Sequence, residues 1–269
     1  MPATDVQIVA HFDITAGQLP ENITLEPDES ALLTFVGSAQ IARVRPDGRT
    51  EIVAALPSGG EIGGIVRTPD GTLYVTYQGE AQIGIWCVQS GHDPELFAAL
   101  PDAKYLNGLA LDGKTLYVTD STVGAVWRVP MDGEPSLWAS GEDLTPLEIY
   151  GSNGIKVHDS AVWVSNTERG LLLRYPIRDD GSAGPVETVA TGVEGIDDFD
   201  FAGDDVIAAL NRPCEVIAVR PGEAPRTLLT EQDGLSNPTS VAVRGDTFYV
   251  ASAAYVTQRD PNLLKARLF

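Results

Sequence analysis

The sequence predicts an all-β chain folded as one six-bladed β-propeller over residues 1–269, with four strands in each blade. Three observations carry that expectation. A two-strand pattern recurs at a near-constant interval, turn residues punctuate the whole chain, and one strand is left over at each end.

The repeated pattern opens on a small or polar residue, alternates apolar residues, turns tightly and enters a second strand. Four copies are clear: GGIVRTPDGTLYVTY, NGLALDGKTLYVTD, NGIKVHDSAVWVSN and TSVAVRGDTFYVAS. Two are weaker: ENITLEPDESALLTF and DDFDFAGDDVIAAL. Their first residues are Glu21, Gly63, Asn107, Asn153, Asp197 and Thr239, at separations of 42, 44, 46, 44 and 42. That interval suits one four-stranded blade per repeat. A β-sandwich would not keep a fixed period over the chain, and a parallel β-helix would repeat at a much shorter one.

The remaining strands follow each pair. Residues 124–130 (GAVWRVP) make a third strand and 135–140 (PSLWAS) a fourth. The last repeat keeps only LLKARLF at the C-terminus, so the N-terminal run VQIVAHF is expected to supply its outer strand and close the ring. No long window carries helical periodicity.

Composition sets limits on function. Hydrophobic residues make up 43% of the chain, enough for a core, and 27 Gly with 18 Pro supply many turns. A formal net charge of −20 argues against a nucleic-acid partner or an anionic membrane surface, and it attracts cations. No apolar run approaches the roughly 18 to 20 residues of a membrane span. The opening MPATDVQIVA lacks the charge and apolar stretch of a signal peptide, so a cytoplasmic monomer is the expectation. Cys87 and Cys214 sit in strand contexts and read as free thiols rather than a disulfide.

In a propeller the first strand of each blade is innermost and the second runs antiparallel to it. Starts of first strands and ends of second strands therefore share one face. Pro69-Asp70-Gly71 and Asp112-Gly113 turn on the other face. The inner ring on the shared face is then Glu21, Gly63, Asn107, Asn153, Asp197 and Thr239. Two residues further on lie Ile23, Ile65, Leu109, Ile155, Phe199 and Val241, a core row.

Asn and Asp also favour strand entries for turn reasons. Four oxygen-bearing side chains at matched repeat positions point instead to a shared site. Glu21, Asn107, Asn153 and Asp197 offer two carboxylates and two amide oxygens. These hard donors suit Ca²⁺, with Mg²⁺ or Mn²⁺ as alternatives, and not the His and Cys preference of Zn²⁺. Four ligands from one side leave positions open, as a catalytic ion requires.

At these residues the sequence resembles the gluconolactonase, senescence-marker and luciferin-regenerating-enzyme family of six-bladed propellers. Diisopropyl fluorophosphatase and the paraoxonases are similar at a greater distance. The resemblance implies a divalent metal at the top of the channel, held by Glu21 in LPENI, Asn107 in YLNGL, Asn153 in GSNGI and Asp197 in GIDDF. GSNGIKV, IDDFDF and NPTSVAV resemble a branch from natural-product pathways, some of whose members are thought to act as cyclases. Two departures stand out. Asp198 follows Asp197 where Gly is common, so either is a candidate ligand, with register favouring Asp197. Gly63 offers no side chain, which leaves Glu61 and Tyr77 to fill that side of the pocket.

No G-x-S-x-G elbow, P-loop, H-E-x-x-H or C-x-x-C is present. His11, His92 and His158 fall in different settings and form no site. A general base is therefore sought among Asp197, Asp198, Asp120 and Glu21, or in a water activated by the metal. Asp120 and Asn166, at ends of second strands, would orient substrate, with a hydrogen bond to a neighbouring loop as the other reading of Asp120. Arg212 is a candidate for an anionic substrate group, with an ordinary surface arginine as the alternative. Tyr77, Tyr105, Tyr150 and Tyr255 are candidate pocket walls. The long connection GEDLTPLEIYGS places Leu144, Leu147, Ile149 and Tyr150 on the same face, as a lid or wall or as ordinary packing. The expected activity is metal-dependent hydrolysis of a lactone or related small ester. A non-hydrolytic cyclase using the same pocket and a metal-stabilised binding propeller are the alternatives.

Overall fold

The computed structural model describes residues 2–80 and 82–268. Met1 and Phe269, the last residue of the expected LLKARLF strand, lie outside the described residues. Six antiparallel sheets of four strands surround one axis. The innermost strands are Pro20–Leu25, Glu61–Arg67, Leu106–Asp112, Ser152–His158, Ile196–Ala202 and Pro238–Arg244, and each touches the innermost strands on either side. Helix among the described residues is limited to four single turns, Ile14–Ala16, Val36–Ser38, Glu142–Leu144 and Glu231–Asp233. No helix there is long and apolar enough to cross a membrane.

The ring closes as the leftover strands predict. Thr4–His11 pairs antiparallel with Asn262–Arg267 and becomes the outer strand of blade 6. Beyond it, Phe12 is buried against Phe35 of blade 1, ring centroids 5.0 Å apart in an edge-on contact. His11 bonds Asp260, His158 ends an inner strand at the opposite face, and His92 lies in a turn. Cys87 and Cys214 are free.

The core is divided into six seams, one between each pair of neighbouring blades. Second strands are buried on both faces, so they read as near-continuous apolar runs. In blade 2, Val75 and Tyr77 pack toward blade 1 while Tyr74 packs toward blade 3.

A β-bulge interrupts the inner pair of every blade at the ring position. Two inner-strand residues there oppose one residue of the second strand, which turns the strand entry toward the axis. In blades 1 to 4 the opposing residue is Thr34, Thr76, Thr119 or Ser165, all fully buried. Its hydroxyl donates to the ring-residue carbonyl of the next blade: Gly63 at 2.7 Å, Asn107 at 2.9 Å, then Asn153 and Asp197. In blades 1, 3 and 4 it also accepts the amide of Asn22, Gly108 or Gly154 at 2.8–3.0 Å. Blades 5 and 6 carry Ala209 and Ala251 instead, and Thr239 itself donates to Pro20 of blade 1 at 2.9 Å. The approach is close: a Cβ on Gly108 would stand 2.5 Å from the Asn153 carbonyl oxygen, and one on Gly154 would stand 2.6 Å from that of Asp197.

Deleting residues 1–13 should lower Tm by more than about 10 °C, because it removes the outer strand of blade 6 and the Phe12 contact. An unchanged melting curve would refute closure by the N-terminus. Thr119→Val keeps the shape but orphans a buried carbonyl, and urea denaturation should show a loss of about 1–3 kcal/mol.

Candidate functional site

The ring residues Glu21, Asn107, Asn153 and Asp197 line one cavity of about 400 Å³ at the strand-start end of the axis. Each sits in a bulge on a different inner strand, so four sequence-distant side chains converge without a loop to carry them. Glu61, Tyr105, Tyr150, Arg212 and Tyr255 line the same cavity, as does Asn211. Leu19, Val36, Thr167 and Val256 join them. Sequence reasoning missed these four, since each lies in a connection outside the repeated strand pair.

The donors are held by their neighbours. The Asn107 Nδ2 donates to Ser121 Oγ at 3.3 Å, and the Asn153 Nδ2 donates to Thr167 Oγ1 at 2.9 Å. Neither side-chain carbonyl oxygen accepts a hydrogen bond from the described residues, which leaves both for the cavity. Glu21 accepts from the Tyr255 hydroxyl. The side-chain amides of Asn153 and Asn211 act on Asp197 to favour its charged form. Neither carboxylate has an ion-pair partner among the described residues.

Two buried acids with no ion-pair partner resist ionisation. Burial pushes Glu21 up to about 7; the Tyr255 hydrogen bond opposes the shift, while the charges of Asp198 and Glu61 add to it. Burial raises Asp197 well above its ordinary range, helped by Glu21 and Asp198. Burial also raises the phenols of Tyr105 and Tyr255, with the Glu21 charge contributing to both. Tyr105 donates to Glu61 at 3.2 Å and meets Tyr150 edge-on at 5.8 Å.

No three His, Cys, Asp or Glu residues gather as a metal group among the described residues. The donor set is mixed, two carboxylates with two amide oxygens that lack partners. Burying such charge uncompensated is costly, and a hard divalent cation is the chemistry that satisfies it.

Several expected site residues lie elsewhere. Asp198 does not line this cavity; it faces down the channel, 2% exposed. There it accepts from Lys156 Nζ at 2.6 and 2.7 Å, Asn22 Nδ2 at 3.0 Å and Ser240 Oγ at 2.7 Å. It is a charge-paired plug and not a free base. Asp120 is fully buried and accepts the amides of Lys104, Tyr105, Thr122 and Val123 at 2.7–3.2 Å. Asn166 is spent in the same way, donating to Asp143 and Thr145 and accepting from Arg169. Tyr77 lies in the seam of blades 1 and 2, its hydroxyl bonded to Pro57. Of the pair offered for the Gly63 side, Glu61 alone reaches the cavity.

A larger cavity of about 510 Å³ opens at the opposite end of the channel, bordered by Arg67, Lys156, Asp200 and Arg244. Its polar groups are already matched. Lys156 is paired with Asp198, Arg244 donates to Glu26, Arg67 donates to Thr68, and Asp200 accepts the amides of Phe201 and Val243. The unsatisfied oxygens belong to the first cavity.

The fold and the axial donor set define a six-bladed propeller with a polar-bottomed pocket at one mouth. No family model matches the sequence and no curated protein matches it. Solved structures do match in fold. Regucalcin from Agrobacterium tumefaciens, described as a calcium-binding protein, superposes with a TM-score of 0.77 at 14% identity, covering 100% of this chain and 96% of that one. A protein described as belonging with gluconolactonases gives 0.74 at 17%, covering 97% and 91%. A luciferin-regenerating enzyme gives 0.73 at 13%, covering 98% and 97%. At these identities the likeness shows the propeller fold.

In chelated protein the Glu21 carboxyl stays protonated in the fold up to a pH of about 7, against an ordinary value of 4.5. Its stabilising contribution is complete below 4.5 and is lost as pH rises through 7. Between pH 5 and 8 the parent should therefore lose more Tm than Glu21→Gln does, by about 3 °C. Identical pH slopes in scanning calorimetry would contradict the assignment.

Proposed function

We propose that this protein is a divalent-cation-dependent hydrolase of lactones or related small esters, with Ca²⁺ as the cation. The observation that carries the reading is the convergence of Glu21, Asn107, Asn153 and Asp197 on one pocket, with two acids unpaired and two amide oxygens unused. The solved neighbours named for calcium binding and for gluconolactonase support it by analogy of fold.

Glu21 and Asp197 would supply the charge that holds the cation, and Asn107 and Asn153 the neutral oxygens. When bound, such an ion supplies concentrated positive charge that favours negative charge developing on a substrate carbonyl oxygen. Tyr255 fixes the Glu21 carboxylate by its hydrogen bond, and Ser121 and Thr167 fix the two amides. Glu61 is the carboxylate left to take a proton from an attacking water, since Asp120 and Asp198 are spent on other partners. The Tyr105 hydroxyl, 3.2 Å from Glu61, orients it. Leu19, Val36, Tyr150 and Val256 wall the pocket and keep bulk water from the reacting centre.

Titration calorimetry of chelated protein should find one Ca²⁺ site, weakened more by Glu21→Gln or Asp197→Asn than by Asn107→Ser. Glu61→Gln should lower kcat on a lactone or ester panel by about 100-fold or more while Ca²⁺ affinity holds. Asp120→Asn should lower Tm, because it loosens four backbone amides. Hydrolysis in ¹⁸O-water must place the label in the acid product. Turnover without label would make the reaction non-hydrolytic, and no Ca²⁺, Mg²⁺ or Mn²⁺ binding would remove the cation from the reading.

A further inference from the structure

A groove of about 330 Å³ adjoins the upper cavity, and the two share Tyr150, Thr167, Gly195 and Arg212. Arg212 is the only cation lining either hollow among the described residues. It makes no hydrogen bond or ion pair there, whereas Arg43, Arg45, Arg174 and Arg220 all pair with acids. Gly195, at φ +83°, lets the turn bearing Arg212 approach, since a Cβ on it would meet Pro213 at 2.8 Å.

The facing wall is formed by Leu147, Glu148 and Tyr150. Leu147 and Tyr150 are 62% and 42% exposed, yet their backbone is fixed. The Glu168 carboxylate accepts the amides of Leu147, Glu148, Ile149 and Tyr150, four in a row, at 2.6–3.0 Å for the shorter contacts. These bonds hold the Glu168 carboxyl below its ordinary range, against the opposing effect of burial. Asn166 and Arg169 tie the preceding Asp143 and Thr145 carbonyls. The segment is thus a rigid apolar wall and not a lid. Exposed apolar side chains on an immobilised backbone make a preformed contact surface.

We propose that the pocket takes an amphipathic substrate, with an apolar segment laid on the Leu147–Tyr150 wall and a single carboxylate held by Arg212. This deepens the hydrolase reading and rests on it for the reacting centre. A polyol such as a free sugar lactone needs a dense set of hydroxyl partners. The walls above the donor set offer Leu19, Val36, Tyr150 and Val256 instead. Glu148, Glu168 and Glu194 line the groove and not the cavity, and they repel an anion placed further out. The carboxylate position is therefore confined to the junction, beside Arg212.

Unreactive probes test this apart from turnover. Calorimetry in Ca²⁺ buffer would compare 4-phenylbutyrate, 4-phenylbutyramide and gluconate. The acid should bind about tenfold more tightly than the amide, as a charge-assisted pair allows, and more tightly than gluconate. Arg212→Gln should erase the gap between acid and amide and leave the amide unchanged, and Arg212→Lys should restore part of it. Leu147→Ser should weaken acid and amide alike. Gluconate binding as well as the acid, or a gap that survives Arg212→Gln because the acid binds elsewhere, overturns the proposal. If the probes behave as expected while no lactone or ester is turned over, the hydrolase reading fails and the subsite stands.

Discussion

A buried hydroxyl opposite a bulge sets the geometry on which the rest of this molecule depends. Thr34, Thr76, Thr119 and Ser165 each donate a hydrogen bond to the next blade's ring carbonyl, and three of them accept one from an amide of their own bulge. The bulge would otherwise leave polar backbone atoms unpaired in a dry seam, at a cost comparable to a lost hydrogen bond for each. By satisfying them, the hydroxyl allows two consecutive residues of an inner strand to escape the alternation of a regular sheet. One aims at the upper pocket and the next at the channel wall. The donor set therefore follows from an irregularity in the strands and not from loops.

The two aspartates of blade 5 show how one residue's shift separates two fates. Asp197 meets no base and stays reluctant to ionise. Asp198 meets Lys156 from blade 4, with an amide and a hydroxyl from blades 1 and 6 completing its shell. A carboxylate so surrounded is an inter-blade tie across the channel. A carboxylate left without a basic partner resists ionisation instead. The same contrast separates the two mouths: charges at the lower one are matched internally, and those at the upper one are not.

Much of the architecture was legible because a propeller repeats. Six copies at nearly equal spacing placed Glu21, Asn107, Asn153 and Asp197 on one ring, and the leftover VQIVAHF strand placed the closure. The second-strand ends were less legible. Tyr77, Asp120 and Asn166 pair with Ile62, Leu106 and Ser152, the residues just before the ring, and share their orientation into the seams. Only a bulge distinguishes that register from one pointing at the axis, and a bulge leaves little trace in an apolar pattern. The recurrent hydroxyl in LLTF, YVTY, YVTD and WVSN was the available sign of it. The role of Lys156 was hidden for another reason, since a lone lysine on an inner strand does not name its partner.

The closing strand ties the order of synthesis to the order of folding. Blades 1 to 5 are each built from one continuous stretch of chain and can pair as they emerge from the ribosome. Blade 6 cannot, because its outer strand is Thr4–His11 and the strand it pairs with is Asn262–Arg267. The Thr4–His11 strand must therefore wait, unpaired, until Asn262–Arg267 has been released. During that interval the apolar face of Thr4–His11 and the open side of blade 1 are exposed together, and a second nascent chain offers the same strand. Domain exchange through the Thr4–His11 strand is thus the misassembly this topology invites, favoured by crowded synthesis and suppressed by rapid release of Asn262–Arg267.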